Sequence, residues 1–173
     1  GYKWNWVLLR QTRPLPASTQ AIPIPEKWFK YSSTSGDFIA QMPVEPRITE
    51  QALTIDDVQV VNNVALALTQ FAVFAVSYAD LPPNISGSKN LLDRVRKGVL
   101  DGISGKLKSN SNISHKRYPG REFHATAESG LYTSRIFLVN NRLYQLVVVG
   151  VPGKVSAVEV RWFLSSFDFA VKR

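Results

Sequence analysis

Apolar and polar positions alternate with a period of two in several short stretches of this chain, which predicts strands. Trp28-Phe29-Lys30-Tyr31 and Phe38-Ile39-Ala40-Gln41-Met42 flank Ser35-Gly36-Asp37, a turn signal, so a hairpin ending at Pro43 is expected. Residues 48–55 alternate loosely, and Asp56-Asp57 turns the chain. Residues 58–76 are rich in β-branched and apolar side chains, broken at Asn62-Asn63 and near Thr69-Gln70. They predict two strands that end by Asp80-Leu81-Pro82-Pro83.

Over residues 88–108 the period lengthens. Leu91, Leu92, Val95, Val99, Ile103 and Leu107 fall on one helical stripe, which predicts a helix packed on a sheet. Gly98, Gly102 and Gly105 each weaken it by roughly 1 kcal/mol relative to alanine and permit close approach to the sheet. Tyr118-Pro119-Gly120 then reads as the turn from helix to sheet, and Phe123, Ala125 and Ala127 mark a buried strand face.

Ser129-Gly130 leads into a strand over 131–139, Asn140-Asn141 is a two-residue hairpin signal, and 143–149 is nearly continuously apolar, as a strand covered on both faces would be. Ser156-Ala157-Val158-Glu159 is a capping box opening a helix to about Leu164, with Val155, Val158, Trp162 and Phe163 expected inward. Residues 167–171 predict a closing strand. Strand hairpins with helices between them indicate α+β: an antiparallel sheet covered by helices.

Residues 1–27 have a different texture. Tyr2, Trp4 and Trp6 alternate with other residues, and Pro14, Pro16, Pro23 and Pro25 follow among Ser, Thr, Gln and Ala. Proline favours extended backbone, so 1–27 predicts an arm or linker and 28–173 a single domain. The length of 173 residues suits one core without metals or disulfides, and the absence of cysteine excludes thiolate chemistry. The longest apolar stretch, 64–76, is too short to span a bilayer as a helix. The first residue is Gly1 and not methionine, which leads us to expect an upstream targeting or anchoring segment.

The net charge of +8 favours an acidic protein surface or an anionic membrane as partner. The cations are scattered, which disfavours nucleic acid. Arg117, Tyr118, Arg121, Arg135 and Arg142 make up the candidate anion-docking set. His115 and His124, the only histidines, form with Glu122 the candidate metal or catalytic set; Glu122 and His124 share a face if they lie on a strand. Surface residues on an edge strand are the alternative. No Gly-x-Ser-x-Gly occurs, and Gly98, Gly102 and Gly105 lack the Gly-Lys-Ser/Thr ending of a phosphate loop, so no cofactor is implied.

Four runs carry a family resemblance. They are Phe38-Ile39-Ala40-Gln41-Met42-Pro43 after Ser35-Gly36-Asp37, then Phe74-Ala75-Val76-Ser77-Tyr78-Ala79-Asp80-Leu81-Pro82. Next comes Arg135-Ile136-Phe137-Leu138-Val139-Asn140-Asn141-Arg142-Leu143-Tyr144-Gln145-Leu146, and last Phe163-Leu164-Ser165-Ser166-Phe167. In this order, over about residues 28–173, the chain resembles the PsbP/Mog-type α/β/α sandwich, especially bacterial exported proteins of that pattern. The resemblance implies a non-catalytic binding or assembly module, exported or membrane-associated. PsbP-like proteins are extrinsic subunits or assembly helpers at photosynthetic membranes, and the Mog branch binds a small GTPase. The alternatives are a hydrolytic or metal-dependent enzyme using His115, Glu122 and His124, or a small-ligand carrier with an apolar cavity between sheet and helix.

Overall fold

The two segments richest in apolar residues lie side by side at the centre of the larger sheet. The computed structural model describes residues 27–170 together with the backbone of a short strand, β1 (Lys3–Trp4). The remaining elements are β2 (Phe29–Ser33), β3 (Phe38–Met42), β4 (Arg47–Ile55), β5 (Val58–Leu68), β6 (Ala72–Asp80), α1 (Pro83–Ser86), α2 (Leu91–Ile103), β7 (Lys106–His115), β8 (Tyr118–Ala127), β9 (Gly130–Val139), β10 (Arg142–Gly150), α3 (Ala157–Ser166) and β11 (Asp168–Phe169). One antiparallel sheet runs in the order β1-β4-β5-β6-β10-β9-β8-β7, and a smaller one in the order β11-β3-β2.

Each face of the large sheet has its own core. Ile85 of α1 and Leu91, Leu92, Val95 and Val99 of α2 pack on one face, against Leu53, Val64, Phe123, Ile136, Leu143 and Val147. The other face meets the small sheet and α3 through Phe38, Met42, Phe74, Tyr144, Leu146, Phe163 and Phe167. Strands β6 and β10 are buried from Ala72 to Ala79 and from Leu143 to Gly150, because both of their faces are covered. The expected layered α+β fold is therefore present.

Several local expectations are corrected. β5 runs unbroken through Asn62-Asn63 in register with β4 and β6, and the break falls only at Thr69, whose hydroxyl and amide groups bond Ala72. Helix α2 ends at Ile103, where Ser104 adopts φ 51° and its N–H bonds back into the last turn. Leu107, four residues after Ile103, prolongs the helical stripe by coincidence and stands in β7, 42% exposed. Tyr118, Pro119 and Gly120 are not a turn but the start of β8; the turn is Lys116-Arg117.

The capping box at Ser156 and Glu159 forms with both of its bonds. Phe163 of α3 is buried, but Val158 and Trp162 face outward. The closing strand shortens to Asp168–Phe169. β1 pairs with β4 at Thr54 and Leu53; the rest of the proline-rich arm, with Pro14, Pro16, Pro23 and Pro25, lies outside the described residues.

Candidate functional site

Lys106–His115 and Tyr118–Ala127 form a long hairpin at the edge of the large sheet, closed by the pair His115 and Tyr118. Lys116 (φ 47°) and Arg117 (φ 73°) both take left-handed backbone, the geometry of a two-residue turn matched to strand twist. Asn or Gly relaxes such a turn, and Asp tolerates it at Asp56-Asp57; Lys and Arg have no short polar side chain to offset the strain. The tip is thus two cations held in a costly conformation.

What holds it is β11. His115 Nε2 stands 2.9 Å from Asp168 Oδ1, and Lys116 Nζ donates to the same carboxylate at 2.9 and 3.1 Å. The His115 ring lies 5.2 Å from the Phe169 ring and 6.0 Å from Phe137, and Tyr118 meets Phe169 edge-on at 5.5 Å. Burial pushes the Asp168 carboxyl up, but hydrogen bonds from His115, Lys116 and the Phe169 N–H outweigh it and hold the group below its ordinary value. β11 in turn pairs with β3 through Asp168↔Ile39 and Phe169↔Phe38. The tip therefore joins the two sheets.

The candidate metal set is taken apart by this arrangement. Glu122 is the cross-strand partner of Arg135, whose Nε donates to Oε1 at 2.9 Å. His124 Nδ1 lies 3.2 Å from Thr133 Oγ1. His115 pairs with Tyr118 and His124 with Ser109, six residues down the hairpin, which places them roughly 20 Å apart. Among the described residues no group of three or more His, Asp or Glu is placed to hold a metal ion. β8 is also not an edge strand, since β7 lies outside it.

The basic set divides likewise. Arg121 points to the α2 face, where its Nε donates to Asp93 at 3.0 Å, while Arg135 occupies the opposite face with Glu122. Arg142 opens β10 opposite Val139, at the tip's end of the sheet but two strands across from Tyr118, and it is bidentate on Asp80 at 2.7 and 3.0 Å, 3.5 Å from Asp37, and 4.7 Å over the Tyr78 ring. The hydrogen bonds with Asp80 raise its already high pKa against the opposing effect of burial. Arg117 and Tyr118 remain together at the tip, beside Lys116.

Sequence reasoning overlooked Asp168 and Lys116; their link spans 52 residues, and no local signal marks it. An open groove of about 300 Å³ lies elsewhere, on the β4–β5 hairpin between Glu50, Ala52, Gln59 and Val61, and not between sheet and helix. No helix among the described residues is long and apolar enough to cross a membrane.

A solved structure supplies the decisive comparison: the solution structure of cyanobacterial PsbP (CyanoP) from Synechocystis sp. PCC 6803 superposes with a TM-score of 0.58 over 89% of this chain and 99% of that one. The fold is PsbP-like. At 11% identity the likeness concerns the backbone arrangement alone and carries no residue role across. No protein-family model matches the chain, and no curated protein matches it. Within the PsbP-like frame, the hairpin tip and its clasp on β11 are features read from this chain's own residues.

Proposed function

We propose that this domain is a non-catalytic binding or assembly module of an exported or membrane-associated protein, and that the β7–β8 tip docks an acidic protein surface. The observation that carries the reading is the contrast between Arg117 and the other arginines of the candidate set. Arg121, Arg135 and Arg142 are each matched to a carboxylate within the fold, whereas among the described residues Arg117 has no ion-pair partner. It projects from a strained turn next to Tyr118, and strain of this kind, on the order of 1–3 kcal/mol per residue, concentrates where a function needs the exposed geometry. The overall charge of +8 steers an acidic partner toward the domain. The PsbP-like fold supports an accessory role, and the motif-order resemblance supports the exported setting.

The test compares wild type with Lys116→Glu/Arg117→Glu in capture from native membranes across a salt series, with anionic vesicles as a separate arm. Salt-sensitive capture of one acidic protein, lost in the variant, supports the reading. Equal capture by both proteins, or capture by vesicles alone, refutes the docking surface. Turnover in a hydrolase panel that Glu122→Gln or His124→Ala abolishes would refute the non-catalytic assignment.

A further inference from the structure

The fully buried polar side chains on the face of the large sheet beneath α2 form one row. Ser134 of β9, Gln145 of β10, Ser77 of β6 and Asn62 of β5 are 0%, 1%, 4% and 2% exposed, on four adjacent strands. Gln145 stands opposite Ile136 on one side and Ser77 on the other. Ser134 stands opposite Val147, two residues along from Gln145, so the two are diagonal neighbours on one face. Asn62 is placed the same way relative to Ser77, being opposite Ala79. Ile136, Val147 and Ala79 belong to the core that contains Leu92, Val95 and Val99 of α2, which puts the row on the sheet face that the helices cover.

Buried polar atoms in proteins are nearly always partnered. Here Gln145 Nε2 and Oε1 and Ser134 Oγ have no hydrogen-bond partner within the protein. The neighbouring positions on the same strand face, Leu143 and Val147, show that an apolar side chain fits this layer. The row carries no formal charge. Its amide supplies two donor hydrogens and an acceptor, and the serine hydroxyl supplies one of each kind.

The cover above it is held by apolar packing and by two ion pairs at its surface, Arg121 with Asp93 at 3.0 Å and Arg94 with Asp56 at 2.6 Å. α2 is bounded by left-handed residues at both ends, Asn90 (φ 57°) and Ser104 (φ 51°), and no side chain caps its N-terminus. Gly98 lies on its buried face.

We propose that Ser134, Gln145, Ser77 and Asn62 form an internal binding site, roofed by α2, for a small uncharged molecule that both donates and accepts hydrogen bonds. Water is the smallest such molecule, and ordered internal waters commonly satisfy buried polar groups of this kind. Short amides and polyols share the same chemistry.

The experiment observes the Gln145 side-chain amide by NMR in the folded wild-type chain, with water alone and then with acetamide or ethylene glycol added. Cross-peaks from that amide to long-lived water, lost in Gln145→Met, support a water site. Probe contacts with the amide, with shifts confined to the row and α2, support a site for organic ligands. If neither water nor either probe contacts the amide in wild type, the proposal is overturned, whatever the variant does. It is equally overturned if Ser134→Ala and Gln145→Met both raise the unfolding temperature and leave the water cross-peaks of neighbouring Ile136 unchanged.

Discussion

His115 Nε2 and Asp168 Oδ1 stand 2.9 Å apart across 53 residues of sequence, and through them the end of the β7–β8 hairpin closes on β11. The contact is polar at its head and aromatic at its base, since His115 and Tyr118 both pack on Phe169. A two-residue strand has little stability of its own, so β11 depends on these neighbours and on β3.

The electrostatic part of this clasp has a defined pH dependence. Asp168 is held below its ordinary value of 3.8, so the stability it contributes is present above 3.8 and is lost as pH falls through the lower folded-state value. Its side chain is 37% exposed, and solvent screening limits the contribution to less than about 1 kcal/mol. Asp168→Asn is expected to be less stable than wild type near neutral pH, with the gap closing below pH 3.8, as read by urea unfolding at a series of pH values. A gap that persists unchanged into acid would show that the carboxylate charge plays no part.

Gly120 illustrates a position whose meaning changes between sequence and structure. Next to Pro119 it reads as a turn residue, yet it lies inside β8 opposite Phe137. A Cβ there would come within 2.5 Å of the Ile136 carbonyl oxygen and 2.6 Å of Phe137 Cδ1. The backbone oxygen cannot swing away, so β8 and β9 would have to separate. Gly120→Ala is expected to destabilise by about 1–3 kcal/mol, measurable by thermal or denaturant unfolding. An unchanged midpoint would mean that the strands part without penalty.

The elements legible in the sequence are those whose burial is fixed by local pattern. β10 is apolar at nearly every position because both of its faces are covered, and the Ser156 capping box is a local chemical signature. β7 was illegible for the opposite reason. As an edge strand exposed along most of its length, with the sequence KLKSNSNISH, it has no apolar alternation to detect, and Leu107 lent itself to the preceding helix. The candidate site was half legible. Arg117 and Tyr118 stand in one short run, but Asp168 reaches the tip only because the small sheet packs on the large one, and the polar row assembles only through strand register, neither of which local sequence encodes.

Arg142 tests whether its role is charge or shape. It chelates Asp80 with two nitrogens, donates to the Ser35 carbonyl at 3.0 Å and lies over the Tyr78 ring. Lysine keeps the charge but cannot make the fork and the stack together. Arg142→Lys is expected to lower stability by about 1–2 kcal/mol, the scale of one charge-assisted hydrogen bond. Because Asp80 is 64% exposed, a double-mutant cycle with Asp80→Ala should return a coupling below about 1 kcal/mol. A larger coupling would assign the effect to the ion pair and not to Tyr78 and Ser35.

Helix α3 offers the clearest test of which face it buries. Phe163 is 0% exposed, and its ring meets Phe74 edge-on at 5.4 Å in the core beneath the small sheet. Trp162, one residue earlier, is 51% exposed, and its Nε1 donates to Gln41 Oε1 at 3.1 Å. One residue is 100° around a helix, so the two cannot share the buried face equally. Phe163→Ala should cost about 3–5 kcal/mol through lost burial and a cavity. Trp162→Ala should cost less than about 1 kcal/mol, as expected for an exposed side chain with one solvent-accessible hydrogen bond. Parallel unfolding curves decide the point: if Trp162→Ala proved the more damaging, α3 would be rotated about its axis relative to the packing described, and the aromatic core at Phe74 would have a different lid.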